Sequence, residues 1–572
     1  MKITNSIYSV LLLLVILNTS IELKAQNNYP QNYFISPLDI PIILSGSFGE
    51  LRSNHFHTGL DIKTQGVIGK RVLAAADGYV SRIKVSPWGY GNALYITHPN
   101  GYVSVYAHLD KYSDSIAKLV KQTQYTQQKF AIEIFPTKGQ ISVKQGELIA
   151  YSGNSGSSGG PHVHFEIRNE AQQPINPLLF GIKVNDNRYP IMRKLRIYNY
   201  YKYDNSEVQE FTLYQDKSIV YKKFKDTINI SSTQFYPAIE GFDRFNGANN
   251  KNGYYKLEFY FDDTLYSRFT AEKISFSEKR YINSYIDYST FKSKKQRFQR
   301  SLKEENTHLL NISNVMNNGI MLLNDSKAHK VKIIAYDFAG QSVTLEVFVK
   351  HIEGNEHKEV LNANIFDCNH ENIYKAENFE IVIPKGAFYS SQQFHAKSED
   401  NKYSTYSKLC NIFEIGVPLH KYSKLKIRVI NPDSIKNKSK LCIISLNSKD
   451  IRVYEGGEYS NGWLSTKTRS FGRYYIDIDT IAPVLKPKNI YENKNITKQR
   501  LISFKVQDDL SGIKKYSASI NNQWVLLEYD PKREHLYYII DKHFEAGKHK
   551  FVISATDSKG NKTKLSYNLI RN

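Results

Sequence analysis

The sequence predicts a mainly β protein in which an N-terminal antiparallel-sheet domain is followed by about three β-sandwich domains. Aromatic residues, which favour strands, are abundant: the chain has 42 Tyr and 29 Phe. Short apolar runs alternate with Gly, Asn and Pro turns along most of the chain. At 572 residues the chain is too long for one hydrophobic core, so we expect several domains.

Residues 1–25 have the features of a cleaved signal peptide. Lys2 precedes an apolar run at 10–17, and Ala25 is a small residue at the end of the segment. The apolar run is well short of the ~18–20 residues that span a bilayer, and no later stretch is long and apolar enough to be transmembrane. We therefore expect a protein that is exported to the periplasm or cell envelope, with no transmembrane segment after signal cleavage.

The chain is basic, with a formal net charge of +22 at pH 7. Such a charge is compatible with nucleic acid, an anionic membrane or an acidic polymer as partner. Export argues against nucleic acid and favours polymers of the envelope. Because the lysines are scattered rather than clustered, charge alone assigns no function.

Residues 26–180 form the predicted N-terminal domain. An extended lead-in with several prolines is followed, from Ser45 to about Arg168, by apolar runs with tight turns between them, the pattern of antiparallel strands. A polar segment that begins at Ser113 interrupts this pattern and has the spacing of a short helix. We interpret residues 111–140 as an insertion between two strands of this domain.

Two later segments, 181–355 and 479–572, look like copies of one immunoglobulin-like β-sandwich. Asp186 and Asp479 each begin a D-x-x-x-P motif that leads into a strand, and Asp337 and Asp557 each follow an alternating strand. Two further matching segments lie between these markers, one in each copy: Glu240–Gly247 and Gln507–Gly512. The interval between the marker aspartates is about twice as long in the first copy, so that copy must contain long insertions.

One of these insertions, residues 280–300, is basic and aromatic. A patch that binds polysaccharide or membrane is one interpretation, and a solvated surface helix or loop is the one we favour. Residues 356–478 have short strands and are predicted to form another β-sandwich-like domain without chemistry. All three cysteines lie there, and an odd number leaves both one disulfide with one thiol and three buried thiols open.

Three histidine clusters between residues 55 and 166 concentrate the metal-ligand chemistry of the chain. Side chains at positions i and i+2 of a strand point to the same face, so His162 and His164 would project together, with Val163 turned into the core. The same spacing would place His57 and Asp61 on one face. Two imidazoles and one carboxylate leave the fourth tetrahedral position free, as a catalytic zinc site requires.

Each motif is weak alone, but the combination resembles the lysostaphin-type zinc metallopeptidases, bacterial endopeptidases that cut peptide bonds in peptidoglycan. The resemblance covers about residues 45–170. The motifs that carry it are His57-Thr-Gly-Leu-Asp61, Ala75-Ala-Asp-Gly78, Gly89-Tyr-Gly-Asn92, Tyr106-Ala-His-Leu109 and the Gly-rich run from Gly153 to Glu166.

The resemblance implies that His57, Asp61 and His164 bind one Zn²⁺ ion per chain, and that His108 and His162 are catalytic histidines that do not bind the metal. In such sites zinc lowers the pKa of its water to about 7 and polarises the scissile carbonyl. One histidine then takes a proton, and the other stabilises the oxyanion or protonates the leaving amine. Which histidine does which is left open. His55 is a rival ligand on the strand pattern, but the family pattern favours His57.

We therefore predict a zinc metalloendopeptidase that hydrolyses peptidoglycan crosslinks. The alternative is a non-catalytic family member that binds the wall and regulates other hydrolases, or an envelope scaffold; the intact set of ligands favours catalysis. Residues 181–572 are expected to position the peptidase on the wall or on other envelope proteins, or to restrict its groove.

Overall fold

The structure is a computed structural model, and it describes residues 29–201, 207–225, 227–353, 364–413 and 416–572. The predicted signal peptide at 1–25 lies outside the described residues. The described chain is built mostly of strands, which form an N-terminal sheet region followed by several β-sheet regions. The predicted fold class is therefore confirmed. In the described part of the chain no helix is both long and apolar enough to cross a membrane.

Region 1, residues 29–180, contains one eleven-stranded sheet with the central path β1-β2-β10-β6-β5-β4-β7. Its strands are β1 Leu44–Gly46, β2 Leu60–Lys63, β3 Arg71–Leu73, β4 Gly78–Val85, β5 Asn92–Thr97, β6 Val103–Tyr112, β7 Ile132–Ile134, β8 Ser142–Val143, β9 Leu148–Ser152, β10 His162–Arg168 and β11 Pro174–Ile175. A 3-10 helix, Pro177–Phe180, ends the region.

Helix α1, Asp114–Gln127, lies inside the segment predicted as an insertion. Ile116, Val120 and Gln124 are its buried residues, spaced one helical turn apart, so a single narrow face packs on the sheet. The helix ends at Gln128, whose φ of 49° is left-handed. The chain then returns to the sheet as β7, which pairs with β4.

Strand β10 lies between β2 and β6 in the sheet, and its alternating sequence gives it one apolar face and one ionisable face. Val163, Phe165 and Ile167 are fully buried and belong to the apolar core of region 1. The other face of the strand is entirely ionisable, with the side chains of His162, His164, Glu166 and Arg168. The predicted burial of Val163 is confirmed, and the ionisable face is where the candidate site lies.

Region 2, residues 181–353, packs two six-stranded sheets around one core. Its strands are β12 Ile191–Asn199, β13 Val208–Asp216, β14 Ile219–Lys222, β15 Thr227–Ile230, β16 Gln234–Phe242, β17 Lys256–Phe261, β18 Thr264–Thr270, β19 Phe298–Arg300, β20 Ile312–Ser313, β21 Met321–Leu322, β22 Ala328–Tyr336 and β23 Ser342–His351. Its helices are α2 Ile282–Tyr285 and α3 Tyr288–Lys294, with 3-10 turns Lys279–Tyr281 and Asn317–Gly319.

The segment at 280–300 is not the solvated surface element that we expected. Ile282 and Tyr285 are buried in the core of region 2, and so is Phe291 on α3. Their apolar side chains outweigh the basic composition of the segment, because burying one large apolar side chain contributes about 1.5–3 kcal/mol.

Region 3, residues 364–478, packs two five-stranded sheets and a two-stranded pair. Its strands are β24 Ile365–Phe366, β25 Asn372–Lys375, β26 Phe379–Ile383, β27 Gln392–Gln393, β28 Ala396–Glu399, β29 Leu409–Ile412, β30 Ser423–Arg428, β31 Leu441–Leu446, β32 Arg452–Tyr454, β33 Glu458–Ser460, β34 Trp463–Thr468 and β35 Gly472–Ile478, with 3-10 turns Pro432–Ser434 and Lys438–Lys440. Cys368, Cys410 and Cys442 are all free and buried, so of the two alternatives for the cysteines the structure has three buried thiols.

Region 4, residues 479–572, packs a four-stranded and a five-stranded sheet. Its strands are β36 Val484–Pro487, β37 Lys494–Asn495, β38 Leu501–Gln507, β39 Ile513–Ile520, β40 Gln523–Val525, β41 Glu528–Asp530, β42 His535–Ile539, β43 Gly547–Asp557 and β44 Lys562–Arg571, with a 3-10 turn at Pro531–Arg533.

Regions 2 and 4 share a sheet topology. In region 4 the five-stranded sheet has the order β37-β44-β43-β39-β40, and region 2 repeats it as β15-β23-β22-β17-β18. In both, the first pair is parallel and the rest are antiparallel. The hairpin β13–β14 and the helices of region 2 have no counterpart in region 4, and they contribute to its greater length.

Candidate metal centre

Two of the predicted ligands face each other across neighbouring strands. Strands β2 and β10 are antiparallel, and Asp61 lies directly opposite His164 in their register. Directly opposite residues of such a pair have Cβ atoms about 4.5–5.5 Å apart, so their side chains meet. Sheet register alone therefore brings this carboxylate and this imidazole together.

His57 reaches the same place from a loop. We expected His57 and Asp61 to share one strand, but β2 begins only at Leu60 and residues 57–59 are irregular. The imidazole of His57 is fixed instead by its Nδ1, which lies 2.8 Å from the carbonyl oxygen of Ser47. The predicted strand is thus wrong at His57, although the predicted proximity holds.

The three side chains form a compact triangle of donor atoms. His57 Nε2 lies 3.0 Å from Asp61 Oδ1 and 3.0 Å from His164 Nδ1, and the last two atoms are 2.9 Å apart. All three residues are buried, and together they are one of the groups able to hold a metal ion. A tetrahedral zinc with bonds of 2.0–2.1 Å separates its ligand atoms by about 3.3 Å, so the donor set fits zinc after small shifts.

Hydrogen bonds on the far side of each ring determine which atoms point inward. Ser47 accepts from His57 Nδ1, and Glu166 Oε1, at 2.8 Å, accepts from His164 Nε2. Each ring therefore presents its other nitrogen to the centre, as metal-binding histidines do. The second oxygen of Asp61 is held by Arg52 at 2.7 Å.

The pKa values show how strongly these groups interact. Burial alone would lower the pKa of His164, but hydrogen bonds to Asp61 and Glu166 outweigh it and raise the pKa to about 9. Burial would likewise raise the pKa of Asp61, but His57, His162 and His164 together hold it well below its usual range. A cation at this place is therefore favoured, whether it is a proton or a metal ion.

Glu166 is the functional residue whose role the sequence reasoning missed. It is fully buried, and Oε1 also accepts from Thr58 (2.7 Å) and Tyr90 (2.6 Å), while Oε2 accepts from Arg168 (2.6 Å). These donors stabilise a charge that burial would otherwise remove, and the pKa of Glu166 lies below its usual range. The alternation His-x-His-x-Glu-x-Arg in β10 was the available signal, because it places all four side chains on one face.

His108 and His162 lie beside the triangle, with ring centroids 4.8 Å apart. His108 Nδ1 is 2.9 Å from the carbonyl oxygen of Ser155, and His162 Nδ1 is 2.8 Å from that of Gly160. Both rings therefore have Nε2 available for the site, and His162 Nε2 lies 3.4 Å from Asp61 Oδ1. Neither belongs to the group that could hold the metal.

His108 has a strained backbone. Its φ is 61°, in the left-handed region, and it lies within a break in the register of β6 with β5. A non-glycine residue there costs about 1–3 kcal/mol and commonly marks a functional site. Burial, followed by the neighbouring His164 and His162, lowers the pKa of the His108 imidazole to about 3, so this ring is neutral at physiological pH.

His55 is not brought into the triangle. Its Nδ1 pairs with the neighbouring Asn54 side chain at 2.8 Å, and the ring lies in a bend outside the group of ligand atoms. Burial, with Lys279 as the next contribution, lowers its pKa to about 4.

Region 4 contacts the loop that leads into β10. Lys532 Nζ donates to the carbonyl oxygen of Ser158 at 3.0 Å and lies 3.4 Å from Asn154 Oδ1. Nearby, Tyr529 makes an edge contact with Trp88 of region 1. Ser158 Oγ in turn lies 3.2 Å from His162 Nδ1. Ser158 therefore connects Lys532 of region 4 with a candidate catalytic histidine.

Comparisons with known proteins match two parts of the chain. The model of peptidase family M23 matches residues 55–132 and 133–177. The model of a Zu5-like domain matches residues 363–479, close to the limits of region 3.

Among curated relatives, DD-carboxypeptidase/endopeptidase Mpg of Neisseria meningitidis is 34% identical over 22% of this chain and 23% of its own length. Murein hydrolase activator NlpD of Escherichia coli is also 34% identical, over 21% of this chain and 25% of its own length. A crystal structure of the catalytic domain of the M23 protein EnpA from Enterococcus faecalis is 25% identical, with a TM-score of 0.20, and covers 26% of this chain and 98% of that domain.

The chain thus spans only about a quarter of the curated relatives that it matches. The residues that the M23 model matches lie in region 1 and include all five predicted site residues. This chain contains a domain of peptidase family M23.

Proposed function

We propose that the protein is a zinc-dependent endopeptidase that hydrolyses peptide bonds in peptidoglycan crosslinks. The observation that carries this proposal is the triangle of His57 Nε2, Asp61 Oδ1 and His164 Nδ1, whose atoms lie 2.9–3.0 Å apart. The other nitrogen of each ring is held by a hydrogen bond. Three protein donors leave room for a fourth ligand, as in catalytic zinc sites. When bound, zinc would lower the pKa of a water molecule and polarise the scissile carbonyl.

The remaining chemistry falls to His108 and His162. Each ring is fixed through Nδ1 by a backbone carbonyl, so each would act through Nε2. One of them accepts the proton of the attacking water, and the other hydrogen-bonds the developing oxyanion or gives a proton to the leaving amine. The two rings are close enough to act on the same peptide bond, since their centroids are 4.8 Å apart.

Peptidoglycan as the substrate is supported by the relatives. Mpg is named a DD-carboxypeptidase/endopeptidase, and Peptidoglycan DD-endopeptidase ShyB of Vibrio cholerae is 37% identical over 19% of this chain and 20% of its own length. The expected signal peptide, which would place the protein in the periplasm or cell envelope, is consistent with that substrate. Regions 2 to 4 would then position the peptidase on the wall or on other envelope proteins.

A second candidate function is the activation of another wall hydrolase without catalysis. The similarity to murein hydrolase activator NlpD favours it, as does the contact of Lys532 with the loop before His162. The complete set of three donors and two further histidines favours catalysis, because a binding protein has no need of a triangle oriented for metal.

The test compares variants on crosslinked muropeptides, with the products identified by mass spectrometry. His108→Asn is the chosen variant because Asn tolerates the left-handed backbone at this position better than Ala does. We expect zinc content near one per chain, as in the wild type, with the rate of cleavage reduced about 10²–10⁴-fold, which is the usual loss of a general acid or base. His55→Ala is the matched control and should retain both zinc and activity.

The outcomes separate the two functions. Cleavage by the wild type that a chelator abolishes and zinc restores supports the peptidase. Zinc-loaded wild type that leaves muropeptides intact, but increases the activity of another wall hydrolase, supports the activator.

A further inference from the structure

Two triads of aspartates are separate from the candidate zinc site, one in region 2 and one in region 4. Triad A is Asp186, Asp243 and Asp337, and triad B is Asp479, Asp508 and Asp557. In each triad, one oxygen from every residue lies within 4.8 Å of the others. The zinc hypothesis uses none of these residues.

The triads occupy corresponding positions in the two related regions. Asp186 and Asp479 each lie a few residues before the first strand, β12 or β36. The second aspartate of each triad, Asp243 or Asp508, directly follows the next strand of that sheet, β16 or β38. The third aspartate, Asp337 or Asp557, lies at the end of β22 or β43.

The loop after the third aspartate has the same pattern of hydrogen bonds in region 2 and in region 4. In region 2, the amide nitrogen of Gln341 donates to Asp337 Oδ1 at 2.8 Å, and its side-chain amide donates to Oδ2 at 3.2 Å. In region 4, Asn561 does the same to Asp557, at 2.8 and 2.7 Å. This repeated loop fixes the third carboxylate and leaves its remaining lone pairs for another partner.

Buried carboxylate oxygens in both triads have no hydrogen-bond partner. Asp243 is 1% exposed and its Oδ1 is unpartnered; Asp479 is 2% exposed and its Oδ2 is unpartnered. Asp186 Oδ2 and Asp508 Oδ1 are unpartnered as well. Leaving a buried polar atom without a partner costs about 1–3 kcal/mol, and more for a charged group, so each triad lacks a ligand.

Basic side chains do not compensate these charges. Within the described ranges, no Lys or Arg side-chain nitrogen lies within 4.0 Å of any of the six carboxylates. Burial raises the pKa of Asp186 to about 6, and burial together with Asp186 raises that of Asp243 well above its usual range. These shifts are those of carboxylates crowded together without a cation.

The geometry points to a hard divalent cation, and we propose that each triad binds one Ca²⁺ ion. Every donor is an oxygen, which excludes the softer metals that prefer sulfur or imidazole. Two oxygens on one Ca²⁺ are at most about 5 Å apart, since Ca–O distances are 2.3–2.6 Å. Three protein carboxylates at one point suit Ca²⁺ better than Mg²⁺, which usually takes one or two and keeps several waters.

A further oxygen is available in region 2. Asn252 is the backbone partner of Asp243, with reciprocal N–H···O bonds of 3.0 and 2.8 Å. Its side-chain oxygen is buried and also has no hydrogen-bond partner. Asn252 is therefore a candidate fourth protein ligand.

Each ion would lie where a repeated region docks on the region before it. The loop after Asp243 inserts Phe245 into the core of region 1, and Phe338, next to Asp337, packs against the same core. In region 4, Leu510 in the loop after Asp508 packs on a cluster of region 3. By fixing these loops, Ca²⁺ would stiffen the junction between regions 1 and 2 and that between regions 3 and 4.

The test uses the full-length protein, loaded with zinc and freed of Ca²⁺. Equilibrium dialysis with ⁴⁵Ca²⁺ is carried out with Mg²⁺ in excess. The Ca²⁺ concentration is about 1 mM, the upper end of the range of Kd for extracellular Ca²⁺ modules. We expect two Ca²⁺ ions per chain for the wild type and one for Asp243→Asn or Asp479→Asn. The double variant should bind none, and Asp216→Asn, an exposed carboxylate of region 2, should bind two.

Thermal unfolding distinguishes a lost site from a misfolded variant. Without Ca²⁺, Asp243→Asn should melt at or above the wild-type temperature, because the substitution relieves repulsion among buried carboxylates. Ca²⁺ should raise the melting temperature of the wild type, and it should raise that of Asp243→Asn by less. Trypsin cleavage at Lys183 and Arg188, in the segment of region 2 that precedes β12, should slow several-fold in Ca²⁺ for the wild type but not for the double variant.

Failure of Ca²⁺ to bind the wild type, or equal Ca²⁺ binding by the double variant, would overturn the proposal. Complete displacement by Mg²⁺ would overturn the choice of Ca²⁺. None of these readouts depends on peptidase activity, so the proposed function and the Ca²⁺ sites fail independently.

Discussion

The two sides of the metal centre are positioned in different ways. Asp61 and His164 are direct partners in the β2–β10 register, so region 1 alone fixes their separation. His57 lies outside any strand, in a loop that begins near Ser47. Phe48 and Phe56 of this loop are buried in the core of region 2, where Phe56 stacks on Phe269 with centroids 5.7 Å apart.

This difference shows that the candidate zinc site depends on two regions. A sheet register is maintained by many backbone hydrogen bonds, whereas a loop has few and depends on the side chains that anchor it. Region 2 is therefore more than a spacer, because its core holds Phe56, the residue next to the candidate ligand His57.

Removing a ligand on the strand side should have the largest effect. We expect His164→Ala to lose zinc and activity together, since only two donors would remain of a site that needs three. Metal content measured by atomic absorption, alongside circular dichroism for the fold, tests this. His162→Ala is the matched control two residues away on the same face, and it should retain zinc while losing activity. Retention of zinc by His164→Ala would remove this residue from the ligand set.

Weakening the anchor of the loop that carries His57 should have an intermediate effect on zinc binding. Phe56→Ala should lower the free energy of unfolding by about 3–5 kcal/mol, as for other buried Phe residues, and should also weaken zinc binding because His57 loses its anchor. Phe259→Ala deletes a ring from the same core away from the loop, so it should lower stability similarly without changing zinc affinity in the folded protein. Equal zinc affinity in both variants would show that the loop does not need its anchor.

Removing the charge of Glu166, which hydrogen-bonds His164, should have the smallest effect on zinc binding. Glu166→Gln keeps the size of the side chain but removes the charge that orients His164 and faces Arg168. We expect zinc affinity to fall about 10–100-fold, the usual cost of losing such a partner, with the fold retained. Competition with a chromogenic chelator measures the change, and the exposed Glu170→Gln serves as control. An unchanged affinity would mean that Arg52 and Ser47 suffice to orient the site.

Much of the fold and most of the candidate site were predictable because they follow from local rules. The alternation in β10 predicted that Val163 is buried and that His162 and His164 share a face, and both are observed. The spacing of His57 and Asp61 predicted their proximity but for the wrong reason, since the residues between them do not form a strand. The burial of the 280–300 segment was missed because its basic residues concealed core positions such as Ile282, Tyr285 and Phe291.

By itself, the sequence determined which residues are candidates for the chemistry and which faces of the strands carry them, because alternation is a property of an extended backbone. It also determined that two regions repeat the same aspartate positions. Only the tertiary structure decided that Glu166 orients His164, that region 2 anchors the loop of His57, and that three aspartates distant in sequence meet in each repeat. These features depend on contacts between residues far apart in the chain, and no local pattern encodes which distant side chain will occupy a given space.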